Sequence, residues 1–268
     1  MKAIWSKFPK YRTGTQYYEP VPNIRNFPNL LALCVFAGAL FLFAACSTKP
    51  GDPDFTAMQL GALDNVSSYT DLIAKVAEAR TELGTQYTAG NERQKDSLIS
   101  VARDYLFTVI ITKYFDEWNG TEWDFNGTTR TPKKGKIACG YFITTVLYDA
   151  GLNIPRVKWA QQASEVFITK MTTDVKRFSN KPIADVMAYI ESKGDGLYIA
   201  GMDSHVGFIY KKGTKMRFVH ASYYDPKVGV QSEKLDSDNP LKVSQYRVIG
   251  KILGDAMMKK WLLNESWE

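Results

Sequence analysis

Two hydrophobic periods divide this chain, and the change from one to the other constrains its fold more than any other feature. Up to about residue 151 apolar side chains recur at helical spacing, whereas beyond residue 195 they form short runs between turn residues. Tyr69, Leu72, Ile73 and Val76 predict a helix over about 66–83. Leu98, Ala102, Tyr105, Leu106, Val109 and Ile110 mark a second, with Asn91 and Gln94 as a capping box at its start. A loop rich in Trp, Gly, Asn and Thr runs from Glu117 to Lys136. A third helix spans about Cys139 to Ala150, with Ile143, Val146, Leu147 and Ala150 on one stripe and Gly151 at its C′ position. A short helix over about 182–192 precedes strands at 196–202, 205–211, 216–222, 228–232 and 244–252, and an amphipathic piece at 255–263 follows. Helices leading into strands of this kind predict an α+β fold, with N-terminal helices packed on an antiparallel β-sheet.

Chemistry concentrates in three residues. The chain has three cysteines and two histidines. Cys139 opens the third helix, where unpaired backbone N–H groups and the helix dipole stabilise a thiolate and can receive an oxyanion. Gly140 beside it leaves room for a substrate to approach. His205 and His220 fall in the apolar runs Ser204–Tyr210 and Phe218–Ser222. If Lys212-Gly213 is a two-residue hairpin turn, Lys211 pairs with Thr214 and His205 stands directly opposite His220. The two imidazoles then share one face, with Cβ atoms roughly 4.5–5.5 Å apart. A thiol and two imidazoles suffice for nucleophilic attack on an amide. The bland alternatives are a cysteine that merely begins a buried stripe and histidines that merely fill a core.

The other two cysteines leave Cys139 without a disulfide partner. Residues 1–29 carry Lys2, Lys7, Lys10, Arg12 and Arg25 against the single acid Glu19. An uncharged apolar run, Leu30 to Ala45, ends in Leu42-Phe43-Ala44-Ala45-Cys46. A basic segment, a short apolar segment and small residues before a cut are the marks of an export signal. The run is short for a membrane-spanning helix, which needs about 20 apolar residues. Small residues before Cys46 resemble the lipobox of bacterial lipoproteins, although Phe43 stands where Leu is usual. That resemblance implies a signal peptide over 1–45, a lipid on Cys46 and a tether over 46–57. It places the rest at the periplasmic face of the cell envelope, on the outer or inner membrane. The alternative is an uncleaved anchor in which Cys46 is inert; both put the remainder outside the cytoplasm.

The whole chain has 34 basic and 28 acidic residues, of which five and one lie before residue 30. The near balance that remains excludes a nucleic-acid footprint.

Five segments in order resemble the NlpC/P60 family of papain-like cysteine peptidases, which cut peptidoglycan stem peptides. They are the helix-initiating Cys139; Ala150-Gly151-Leu152-Asn153-Ile154-Pro155-Arg156; Gly194-Asp195; Ser204-His205-Val206-Gly207-Phe208-Ile209; and Phe218-Val219-His220-Ala221-Ser222. The resemblance covers residues 139–222. It implies a papain-like catalytic domain over 117–268, preceded by a helical segment, 58–116, that the family does not account for. Carried over, Cys139 is the nucleophile, His205 the base that holds the thiolate as an ion pair, and His220 the residue that orients His205. Trp123, Gly140 and Tyr141 line the substrate site, and the partners are peptidoglycan peptides. No cofactor and no metal is implied, since two imidazoles and one thiol make a poor zinc set.

Ala138 and Gly140 depart from the Asp and Ser that many family members carry around the cysteine, which bears on substrate choice. Two alternatives therefore stay open: an amidase or acyltransferase acting on a substrate other than the wall, and a non-catalytic lipoprotein that keeps the fold.

Overall fold

The computed structural model describes Gly61, Leu63 and residues 66–268; the expected export signal over 1–45, Cys46 and the expected tether over 46–57 lie outside the described residues. Helix α1 spans Tyr69–Ala89, with Ser68 capping it by accepting from the Asp71 N–H. It runs beyond the expected end at 83 because Leu83 and Tyr87 continue the buried stripe. Helix α2, Glu92–Val109, starts at the expected capping box, in which Asn91 and Gln94 bond each other's backbone. It passes through a π-helical turn, Ile110–Tyr114, into α3, Phe115–Trp118, so helical structure persists to the edge of the Trp-rich loop.

Helix α4 is Cys139–Asp149, followed by Gly151 at φ +89°. Sequence periodicity does not anticipate the next three elements, α5 (Arg156–Ala160), α6 (Ser164–Met171) and β1 (Val175–Ser179). Two of them are five residues long, too short to display a period. Helix α7, Ile183–Lys193, then leads into β2 (Gly196–Met202), β3 (Val206–Lys212), β4 (Lys215–Ala221) and β5 (Val230–Glu233). A single turn, α8 (Pro240–Val243), precedes β6 (Tyr246–Lys251) and α9 (Asp255–Leu262).

The fold is α+β. Its six-stranded sheet has the order β1-β6-β2-β3-β4-β5, with every neighbouring pair antiparallel. Central β2 and β3 are buried on both faces, which is why their sequences read as continuous apolar runs rather than alternations. The larger core lies on one face. There Leu72, Val76 and Leu83 of α1 and Leu98 and Leu106 of α2 pack with Phe142 and Val146 of α4 and Phe208 of β3. Residues before 117 thus share one core with the catalytic-helix candidate. A smaller core on the other face joins Val186 and Ile190 of α7 to Tyr198, Ile209 and Phe218.

A polar knot inside the larger core ties α1 to α4. The Tyr69 hydroxyl donates to Asp149 Oδ2 at 2.9 Å and accepts from Trp118 Nε1 at 2.8 Å. The Arg130 guanidinium reaches Asp149 Oδ1 at 2.5 Å, and the Tyr114 hydroxyl donates to the Asp149 carbonyl at 2.6 Å. Burial raises the Asp149 carboxyl above its ordinary range, against the opposing pull of Arg130 and Tyr69.

Candidate active site

Cys139 is the first residue of α4, and Ala138 before it is extended and offers no capping side chain. The amides of that first turn are therefore free of a side-chain acceptor. Cys139 is a half-buried free thiol. Burial pushes it above the ordinary thiol range, while the N–H groups of Val206, Gly140 and Cys139 itself pull the other way. The sulfur thus sits among three backbone donors, one of them on the residue that follows His205.

His205 closes the connection between β2 and β3, where its carbonyl accepts the Met202 N–H at 2.9 Å. Its ring is buried, and Nε2 meets His220 Nδ1 at 2.8 Å with the two rings nearly perpendicular. The register that brings them together differs from the expectation. Lys212 pairs with Lys215 and Phe208 with Val219, so the turn is Gly213-Thr214 rather than Lys212-Gly213. Gly213, at φ +58°, takes the first turn position, where a two-residue hairpin favours glycine. The histidines are therefore diagonal neighbours and not directly opposite. A slip of two residues keeps both on one face, whereas a slip of one would have separated them.

His220 is fully buried, stacked on Phe218 at 4.3 Å between ring centroids. Its Nε2 meets Glu233 Oε2 at 2.7 Å. Glu233 was missed in the sequence because the expected strand stopped at 232. It ends β5 opposite Phe218, two places from His220's own partner Gln231, and so lies on the histidine face. An acid at the end of the strand beside β4 is the signal that could have found it.

Burial lowers His205 well below the ordinary imidazole range, and His220 adds to that shift. Burial also lowers His220, against the pull of Glu233. With the thiol raised and the imidazole lowered, both directions favour a neutral resting pair over the thiolate–imidazolium pair expected from sequence. His205 Nδ1 is buried and has no hydrogen-bond partner. Among the described residues no hydrogen bond joins it to the thiol.

The three expected substrate-site residues separate. Trp123 pairs with Ile137 in an isolated bridge, and its ring lies 6.0 Å from Tyr223, itself 5.2 Å from His205. Tyr223 was not singled out in the sequence; with Trp123 it makes an aromatic wall beside the histidine. Gly140 faces protein: a Cβ there would stand 2.4 Å from the Ala160 carbonyl oxygen, so the space expected for substrate is filled by the end of α5. Tyr141 is likewise engaged, its hydroxyl accepting from Gln161 Nε2 at 3.2 Å and its ring lying under the Arg156 guanidinium.

Two cavities are lined by none of Cys139, His205, His220 and Glu233. One of about 910 Å³ includes Lys212, at the opposite end of β3 from His205, together with Arg103, Lys251 and Trp267. The other, about 750 Å³, is lined by Ile111, Phe115, Tyr210 and Arg217 beside the π-helical turn. Among the described residues no group of three or more His, Cys, Asp or Glu is arranged to hold a metal ion. Compared with models of protein families, with curated proteins and with solved structures, the chain matches none.

Proposed function

We propose that this chain is a papain-like cysteine hydrolase of the NlpC/P60 type, cutting amide bonds in peptidoglycan stem peptides. The observation that carries the reading is the buried 2.8 Å contact between His205 and His220, placed one residue from the Val206 amide that reaches the Cys139 sulfur. A fully buried pair of imidazoles joined to each other and to a carboxylate is an expensive way to fill a core, and such arrangements gather at functional sites.

In the reaction, His205 Nδ1 takes the proton from the Cys139 S–H bond as the sulfur electron pair forms a bond to the substrate's amide carbon. The carbonyl π electrons move to oxygen, where the N–H groups at the start of α4 and of Val206 receive the charge. The proton on His205 passes to the leaving nitrogen as the C–N bond breaks, leaving a thioester on Cys139. Water then attacks the thioester, giving its proton back to the thiol through His205. His220 orients His205 throughout.

Export and anchoring through Cys46 at the periplasmic face of a bacterial envelope belong to the same proposal. They would bring the site to its polymer.

Digestion of purified wall sacculi, with products read by mass spectrometry, tests the proposal. Cleaved muropeptides are expected from the wild type and none from Cys139→Ala or His205→Ala, both still folded. Full activity in either variant refutes it. The absence of an acidic side chain at Ala138, together with the aromatic wall of Trp123 and Tyr223, favours a second reading: acyl transfer or hydrolysis on an amide outside the wall. Under that reading the same variants lose thiol acylation by an activated ester, but sacculi yield no products.

A further inference from the structure

The contact between the two histidines can run in either direction. A neutral imidazole has one donor and one acceptor nitrogen. If His220 Nδ1 donates, His205 Nε2 accepts, and the His205 proton sits on Nδ1. A base so protonated cannot take a proton from a thiol. If His205 Nε2 donates instead, Nδ1 keeps its lone pair. The 2.8 Å distance between the rings fits both directions equally.

The next residue along breaks the symmetry. A carboxylate only accepts. Glu233 Oε2 lies 2.7 Å from His220 Nε2, so that nitrogen carries the proton. His220 Nδ1 is then an acceptor, His205 Nε2 must donate to it, and His205 Nδ1 is left bare. That atom is the one found buried and without a partner, as a general base awaiting a proton would be.

We propose that Glu233 is a positioning residue that sets the direction of the whole hydrogen-bond chain, fixing both imidazoles as Nε2–H tautomers so that His205 Nδ1 can act as the base. The proposal rests on the assignment of Cys139 and His205 as nucleophile and base. Burial, which lowers both imidazoles, supports it by keeping the rings neutral, the state in which a tautomer has meaning. When His205 is transiently protonated at Nδ1, its charge stays on that ring and is stabilised by the oriented neutral His220 and, beyond it, by the partly exposed Glu233 carboxylate.

The whole chain has only two histidines, so nitrogen-15 labelling of histidine gives a spectrum of four ring nitrogens. The experiment uses the full chain without a histidine tag, at neutral pH, in the wild type, Glu233→Gln and Glu233→Leu. The wild type is expected to show both rings protonated at Nε2 and bare at Nδ1. Gln keeps a carbonyl acceptor and should preserve that pattern. Leu removes it, so both rings should become tautomeric mixtures, and kcat should fall on the order of 10²-fold with KM unchanged, the lower end of what a placed general base contributes. A wild-type His205 protonated at Nδ1, or tautomers unchanged in Glu233→Leu, overturns the proposal. The wild-type spectrum decides even if the Leu variant fails to fold. Correct tautomers without any Cys139-dependent hydrolysis would remove the hydrolase reading and leave the relay standing; hydrolysis with the opposite tautomers would do the reverse.

Discussion

Replacing Tyr69 with phenylalanine probes whether the N-terminal helices are integral to the fold that carries Cys139 or an accessory to it. The substitution deletes one oxygen that makes two contacts, donating to Asp149 and accepting from Trp118. A hydrogen bond to a charged group contributes about 1.5–3 kcal/mol, and leaving a buried donor unpaired costs about 1–3 kcal/mol. Trp118 is fully buried, so its indole N–H has no water to turn to. The two contributions share one atom and do not simply add, which puts the expected loss at about 3 kcal/mol. With a urea slope of about 2 kcal/mol per molar, the unfolding midpoint should fall by roughly 1.5 M at unchanged slope. Thiol alkylation of the folded variant should not change. Asp149 and Cys139 sit at opposite ends of the 11-residue α4, about 15 Å apart at 1.5 Å per residue. In a double-mutant cycle, Trp118→Phe should couple to Tyr69→Phe by about 1 kcal/mol or more. A midpoint shift below about 0.5 M, which at that slope is about 1 kcal/mol, or additive single variants, would refute the claim that this knot holds α1 to α4.

Three further outcomes are expected. Gly140→Ala should destabilise by about 1–3 kcal/mol, because its Cβ would lie 2.4 Å from the backbone oxygen of Ala160; a neutral effect in thermal unfolding would mean that α5 yields freely. Iodoacetamide alkylation of Cys139 should become half-maximal above the ordinary thiol value of about 8.5, since burial raises the thiol; a midpoint near pH 5–6 would show a preformed ion pair instead. Asp149 is raised by burial, so the native state holds its proton more tightly than the unfolded chain does. Stability should therefore fall as pH rises from the ordinary carboxyl value of 3.8 through the native one, and Asp149→Asn should flatten that part of the profile. An identical slope in both proteins would place the charge cost elsewhere.

Much of the backbone was legible because its signals are local. The Asn91–Gln94 capping box, the Gly151 C′ position and the start of α4 at Cys139 each depend on residues within a turn of one another. Strand β2 fell at its expected limits, Gly196–Met202, because a run buried on both faces is apolar throughout. Elements too short to show a period, such as α5 and β1, were not legible, and neither was the π-helical turn that carries α2 into α3.

The site divides the same way. Sequence alone determined which side chains could do chemistry: one thiol at a helix start and the chain's two histidines on runs able to form adjacent strands. It also gave reason to expect the histidines on one face, on the supposition of a two-residue hairpin turn, and the observed turn keeps that even parity. Tertiary structure decided the rest. It chose Gly213-Thr214 over Lys212-Gly213 as the turn, filled the space beside Gly140 with Ala160, and set Tyr223 against His205. It also brought Glu233 from the far end of β5 to the second histidine. Each of these depends on a distance between segments that no local pattern encodes, since strand register and backbone approach are settled only when the sheet and helices pack together.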